Sequence, residues 1–193
     1  MNFVELHDLP NLNLKDSLDH LLDINAVSWH AKNHQISLNT VPGEENNYLL
    51  GCGSLVWDWD NATEIENEDG SKTLDVPRFS VEKQEEDFTV LCTQFIGTPF
   101  ETAYRALEQK YLLGRVRLMR SNPKTCLTWH VDLHPRVHYP IYTQEGCLMV
   151  IENEAKHLPQ NTWWYTNTLV KHTAFNGTGD VRIHLVATIV GER

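Results

Sequence analysis

The stretch RVRLMRSNPKTCLTWHVDLHPRVHYPIYTQEGCLMVIE, residues 115–152, decides the fold. Apolar and polar residues alternate in it with a period of two, in short segments divided by SNPK and QEG, which are turn sequences. The same rhythm continues through TWWYTN, TLVKHTAFN, GTGD and VRIHLVATIV. Short strands at even spacing, joined by tight turns, favour a sandwich or barrel. The expected architecture is mainly β with flanking helices: a double-stranded β-helix (jelly-roll, cupin-like) core over residues 115–190, preceded by helices and supporting strands over 1–114.

Upstream of that core the period changes. In LKDSLDHLLDI, Leu14, Leu18, Leu21 and Leu22 recur at helical spacing, and such a stripe needs a sheet to cover. A second helix is marked at about 99–113: Thr98 and Glu101 form a capping box, Pro99 takes the first helical position, and Phe100, Tyr104, Leu107 and Tyr111 make the buried stripe before Gly114. Residues 58–87 hold most of the acidic excess and read as solvated surface, with Asp69-Gly70 at a hairpin tip or mobile loop. At 193 residues the chain is long enough for one domain with a substantial core, and a single domain over 1–193 is expected.

The formal charge of −10 argues against nucleic acid or an anionic membrane as partner, since both are polyanions. No apolar run approaches the roughly 20 residues that span a bilayer, and the N-terminus has no basic, apolar leader, so a cytoplasmic protein acting on a small molecule or peptide is expected. Cys52, Cys92, Cys126 and Cys147 are too widely spaced for a zinc ribbon and read as free thiols.

Along a strand, residues i and i+2 share a face. His130 and Asp132 therefore share one, as do Arg136 and His138 on the next segment and Arg182 and His184 on the last, while Val137, Tyr139, Ile141, Val181, Ile183 and Leu185 take the other. A face that is ionisable on several strands and apolar behind suggests a barrel with a polar lumen. Two histidines and one carboxylate, with open positions opposite, form the facial triad of non-haem Fe(II) oxygenases, and His172 is the leading third ligand after His130 and Asp132. Arg182 lies ten residues beyond His172. A guanidinium facing a polar lumen needs an anion, which implies a dicarboxylate co-substrate held at its far end. Arg115 and Arg117 are expected to be surface charges, and His134, just before Pro135, to belong to a turn. Of Trp163 and Trp164, one is expected in the core and the other against the pocket.

The ordered set HVD (130–132 as HxD), RVHYP (RxHxP, from 136), WWYTNT (from 163) and HTAFN with RIHL resembles the aspartyl/asparaginyl β-hydroxylase family of 2-oxoglutarate- and Fe(II)-dependent dioxygenases, which includes small bacterial hydroxylases of free amino acids. The similarity covers about residues 115–190. It implies iron ligands His130, Asp132 and His172, Arg182 on the distal carboxylate of 2-oxoglutarate, Arg136 and His138 near its metal-binding end, and dioxygen as the oxidant. The rival reading is a metal-binding cupin-like protein without oxygenase activity, an isomerase or ligand-binding module, for which the Arg182 clamp has no use.

Overall fold

A computed structural model of the chain describes residues 1–80 and 82–193, with the backbone alone of Asp60; Val81, within the acidic segment, lies outside the described residues. In chain order the strands are β1 (Phe3–Glu5), β2 (Gln35–Ser37), β3 (Asn39–Thr40), β4 (Thr63–Glu66), β5 (Lys72–Asp75), β6 (Val90–Leu91), β7 (Tyr111–Ser121), β8 (Thr125–Cys126), β9 (Arg136–Tyr142), β10 (Cys147–Ile151), β11 (Glu154–Lys156), β12 (Trp164–Thr166), β13 (His172–Asn176) and β14 (Arg182–Glu192). The helices are α1 (Leu14–Asp23) and α2 (Pro99–Lys110).

From β7 onward successive segments cross between two sheets. One has the order β1-β12-β9-β14-β7-β2 and the other β11-β10-β13-β8. β7, β9, β12 and β14 thus lie in the first sheet while β8, β10, β11 and β13 make up the second, which is the wiring of a jelly roll. All pairings are antiparallel. The N-terminal β1 and β2 extend the first sheet at its two edges, β1 against β12 and β2 against β7.

The two faces of the larger sheet separate by parity, as strand geometry requires. Val116 and Leu118 of β7, Val137, Tyr139 and Ile141 of β9, and Ile183, Leu185, Ala187 and Ile189 of β14 join one cluster with Leu14, Leu18 and Leu21 of α1 and Phe100, Ala103, Tyr104 and Leu107 of α2. Both helices therefore pack on this outer face. Fully burying each Leu or Phe contributes about 1.5–3 kcal/mol. A smaller cluster of Phe3, Met149, Ile151, Leu158, Trp164 and Ala174 draws on both sheets.

The helix starts are as their sequences dictate. Thr98 accepts from the Phe100 amide at 3.2 Å, and Glu101 accepts from the Gly97 amide at 2.8 Å. Helix α2 ends at Lys110, three residues short of the expected 113, because Tyr111 and its successors pair with Glu192, Gly191 and Ile189 at the far end of β14. That pairing joins residues eighty apart, and no local signal announces it. Buried Asn39 fastens this region: its amide donates to the Phe88 and Gly114 carbonyls at 2.6 and 2.8 Å, and its oxygen accepts from the Val116 amide at 2.7 Å.

The chain divides into two compact units, residues 1–52 with 85–193, and residues 53–84. The second contains the β4–β5 hairpin, whose tip carries Gly70 at φ +78°, the left-handed region that the Asp69-Gly70 pair signals. Every residue of β4 and β5 is exposed. All four cysteines are free, and among the described residues no helix is long and apolar enough to cross a membrane.

Candidate metal centre

Residues 127–132 run beside β13 without forming a full strand. The Leu127 amide donates to the Ala174 carbonyl at 3.0 Å and the Asp132 amide to the Thr168 carbonyl at 2.9 Å. Between them His130 and His172 exchange both backbone bonds, at 3.1 and 2.9 Å, as a directly opposed pair. Opposed residues on neighbouring strands put their side chains side by side, so the two rings stand 4.2 Å apart at their centroids. Asp132, two residues on, points to the same side. One ligand-type atom from each of His130, Asp132 and His172 lies within 4.8 Å of the others.

The hydrogen bonds around this group set the protons. His130 Nδ1 lies 2.7 Å from the Thr128 carbonyl and His172 Nδ1 3.0 Å from the Val170 carbonyl. A carbonyl only accepts, so each Nδ1 carries a hydrogen and leaves Nε2 as the nitrogen available to a metal. Asp132 Oδ1 is held by Arg136 Nη2 at 2.7 Å, whereas buried Oδ2 has no neighbour of that kind among the described residues beyond His172 Nε2, 3.3 Å away. Burial alone would raise the Asp132 carboxyl, but neighbouring His172 and Arg136 outweigh it and hold the group below its usual range. Two imidazole nitrogens and a carboxylate oxygen thus gather within 4.8 Å of one another, an arrangement that a cation completes. The donor set fits a first-row divalent metal such as iron.

A narrow cavity of about 110 Å³ opens beside these atoms, between the two sheets; its walls include His130, His172, Arg136, His138 and Arg182. Arg182 is 5 % exposed and makes no ion pair among the described residues. Its Nη2 donates to His184 Nδ1 at 3.0 Å, and burial pushes it down to about 10, still charged at neutral pH. His138 is buried with both ring nitrogens unpartnered among the described residues, and burial together with the charges of Arg182 and Arg136 depresses its protonation far below the ordinary range. It is a neutral imidazole facing the cavity.

Three expectations need correction. Arg115 and Arg117 are buried, at 6 % and 3 % exposure, because β7 is an interior strand of the larger sheet and these residues share the inward parity of Met119. Arg115 is gripped by Glu85, Nη2 to Oε1 at 2.8 Å, with the Arg115 amide also donating to Oε2; Arg117 donates to Gln35 Oε1 at 3.1 Å. Glu85, inside the segment read as solvated, is therefore a counter-ion with its side chain only 13 % exposed, whose carboxyl Arg115 holds low despite desolvation. Its partner lies thirty positions downstream, and nothing in the local sequence marks the pairing. Trp163 joins the outer core, as expected of one of the pair, but Trp164 packs in the smaller cluster and does not line the cavity. His184, for which a place beside Arg182 and a bond to a neighbouring strand are equally open from the sequence, lies against Arg182 outside the cavity wall. The turn reading of His134 agrees with the structure, its carbonyl accepting from Thr168 Oγ1 in the bend before β9, while Asn176 closes β13 and its Nδ2 donates to the Ser121, Asn122 and Asp180 carbonyls.

Comparison with known proteins gives the family of the chain. The sequence profile described as Aspartyl/Asparaginyl beta-hydroxylase matches residues 60–191. A search of curated proteins gives no match. Among solved structures, a cupin domain from Bordetella pertussis Tohama I is 18% identical with a TM-score of 0.35, covering 39% of this chain and 79% of its own. An oxidoreductase of the 2OG-Fe(II) oxygenase family from Burkholderia pseudomallei is 13% identical with a TM-score of 0.42, covering 66% and 71%. AviO1 from Streptomyces viridochromogenes Tue57 is 13% identical with a TM-score of 0.43, covering 100% and 91%. The family match rather than these distant likenesses carries the assignment, and with more than half of its length matched the chain belongs to the aspartyl/asparaginyl β-hydroxylase family of oxidoreductases.

Proposed function

We propose that the protein is an Fe(II)- and 2-oxoglutarate-dependent dioxygenase that hydroxylates an unactivated C–H bond of an amino acid or aminoacyl residue. The observation that carries this reading is the convergence of His130, Asp132 and His172 within 4.8 Å, beside a cavity that also receives a buried guanidinium with no acid of its own. Iron bound there with 2-oxoglutarate would supply the activation of dioxygen.

The chain's own residues would do the positioning. Nδ1 of each histidine, tied to a backbone carbonyl, holds its ring in the tautomer that ligates through Nε2. Arg136 occupies Asp132 Oδ1 and so leaves Oδ2 as a single ligating oxygen. Arg182 would clamp the distal carboxylate of 2-oxoglutarate, and its contact with His184 fixes the direction of that clamp. His138, kept neutral by burial, offers a hydrogen-bond partner at the cavity wall without adding charge. The Met119 and Met149 side chains that line the same cavity keep water away from it.

The test is succinate release from 2-oxoglutarate with Fe(II), with and without candidate substrates, repeated on Asp132→Ala and Arg182→Ala. The reading expects both variants to lose turnover, and undiminished turnover in both would remove it.

A further inference from the structure

We propose that Met149 is a modification site of the protein's own making: when no substrate is present, its sulfur takes the oxygen atom delivered at the metal centre and becomes a sulfoxide. This rests on the hydroxylase reading above.

The chain has three methionines. Met119 and Met149 line the cavity together with His130 and His172, while Met1 is 93 % exposed. Strand register separates the two that line the cavity. Met149 of β10 pairs directly with Ala174 of β13, and two residues along the same ladder Ile151 pairs with His172. Opposed residues share a face of a sheet and so do alternate ones, which puts Met149 on the face that carries the His172 ring, as its diagonal neighbour. Such neighbours are roughly 7–8 Å apart, within reach of a long side chain. Met119 comes from the other sheet, where it pairs with His184 and Gln35. Met149 packs against Ile151 and Ala174 and is 3 % exposed. An oxidant dissolved in water is therefore kept from its sulfur, and the way in is the cavity.

Chemistry selects the sulfur over its neighbours. Leu127, Ala174 and Val186 of the same wall offer only C–H bonds, which must break before oxygen can be added. A thioether has a polarisable lone pair and takes oxygen with no bond broken. The step balances with what the hydroxylase reading already supplies: 2-oxoglutarate, dioxygen and the thioether give succinate, carbon dioxide and the sulfoxide. One oxygen atom ends in the new carboxylate of succinate and the other in the S–O bond. Of the four electrons that reduce dioxygen, two come from 2-oxoglutarate and two from the sulfur, no proton moves, and the iron finishes as Fe(II). The product replaces an apolar side chain of the cavity wall by a polar one. Turnover without substrate thus removes the dryness of the site and brings itself to a stop.

The experiment incubates the intact protein with Fe(II), 2-oxoglutarate and heavy-isotope dioxygen, without substrate, then digests it and weighs the peptides that carry Met1, Met119 and Met149. The Met149 peptide should gain one heavy oxygen atom in step with succinate release, and the Met1 peptide none. Oxygen delivered from one side makes one epimer, so only one of the two stereospecific methionine sulfoxide reductases should restore the Met149 peptide. Hydrogen peroxide without iron should reverse the order and oxidise exposed Met1 first. Met149→Leu, a volume-conserving swap that cores tolerate, should lose the label and keep succinate release linear for longer than the native protein does. Met119→Leu should keep the label on Met149. Succinate release with Met149 unlabelled, a label on Met119 in its place, equal labelling of Met1, both epimers in equal amount, labelling without 2-oxoglutarate, or release that occurs only with added substrate would each overturn the proposal. No succinate release under any condition, free L-amino acids and short peptides included, would instead refute the hydroxylase reading itself and the proposal with it.

Discussion

Replacing Arg182 by methionine separates what this side chain costs the fold from what it gives the site. Arg182 is 5 % exposed, has no ion pair among the described residues, and is pushed by burial well below the ordinary guanidinium range, to about 10. That shift corresponds to about 3 kcal/mol against the charged side chain in the ligand-free fold. Methionine of similar length removes that penalty and forfeits the bond to His184, worth about 1 kcal/mol. The net expectation is a ligand-free protein stabilised by about 2 kcal/mol, or about 4–8 °C in Tm for a chain of this size. With ligand the order reverses. Truncating one partner of a buried charge pair costs about 2–5 kcal/mol of affinity, so 2-oxoglutarate should bind at least thirtyfold more weakly. The assay is a thermal melt of both proteins with Mn(II), which occupies such a site without turnover, over a titration of 2-oxoglutarate. The native protein should climb with ligand by mass action and the variant should stay flat. A variant less stable than the native protein without ligand, or one that still climbs, would show that Arg182 is a structural cation and not a clamp.

Asp132→Ala removes the carboxylate ligand and strands Arg136, so divalent metal affinity measured by calorimetry should fall by at least tenfold while the far-ultraviolet spectrum is kept. Buried His138 and His184 both have protonation depressed far below 6.5 by burial. The unfolded chain therefore binds more protons below about pH 6.5, and stability should fall as pH drops through that value, by about 1.4 kcal/mol per pH unit for each histidine; His184→Gln should reduce the slope measured in urea melts by one proton's worth. Asn39→Ala leaves two buried carbonyls and one amide without partners and should cost about 3–5 kcal/mol in the same melts.

The period of two from Arg115 onward determined the jelly roll, and with it the parity that sends Arg136, His138, Arg182 and His184 one way and Val137, Tyr139, Ile183 and Leu185 the other. Alternation is a property of each strand alone, so it is written in each strand's own sequence. The starts of both helices were equally local, since a cap and its helix are neighbours in the chain. Tertiary structure alone decided which residues meet across long separations. It set His130 directly opposite His172, ended α2 early so that the start of β7 could pair with the far end of β14, and buried Arg115 against Glu85 and Arg117 beside Gln35. Those outcomes depend on strand register and on the order of strands in the sheet. Both are fixed by the sum of many pairings across the fold, and no single segment encodes its partner's address.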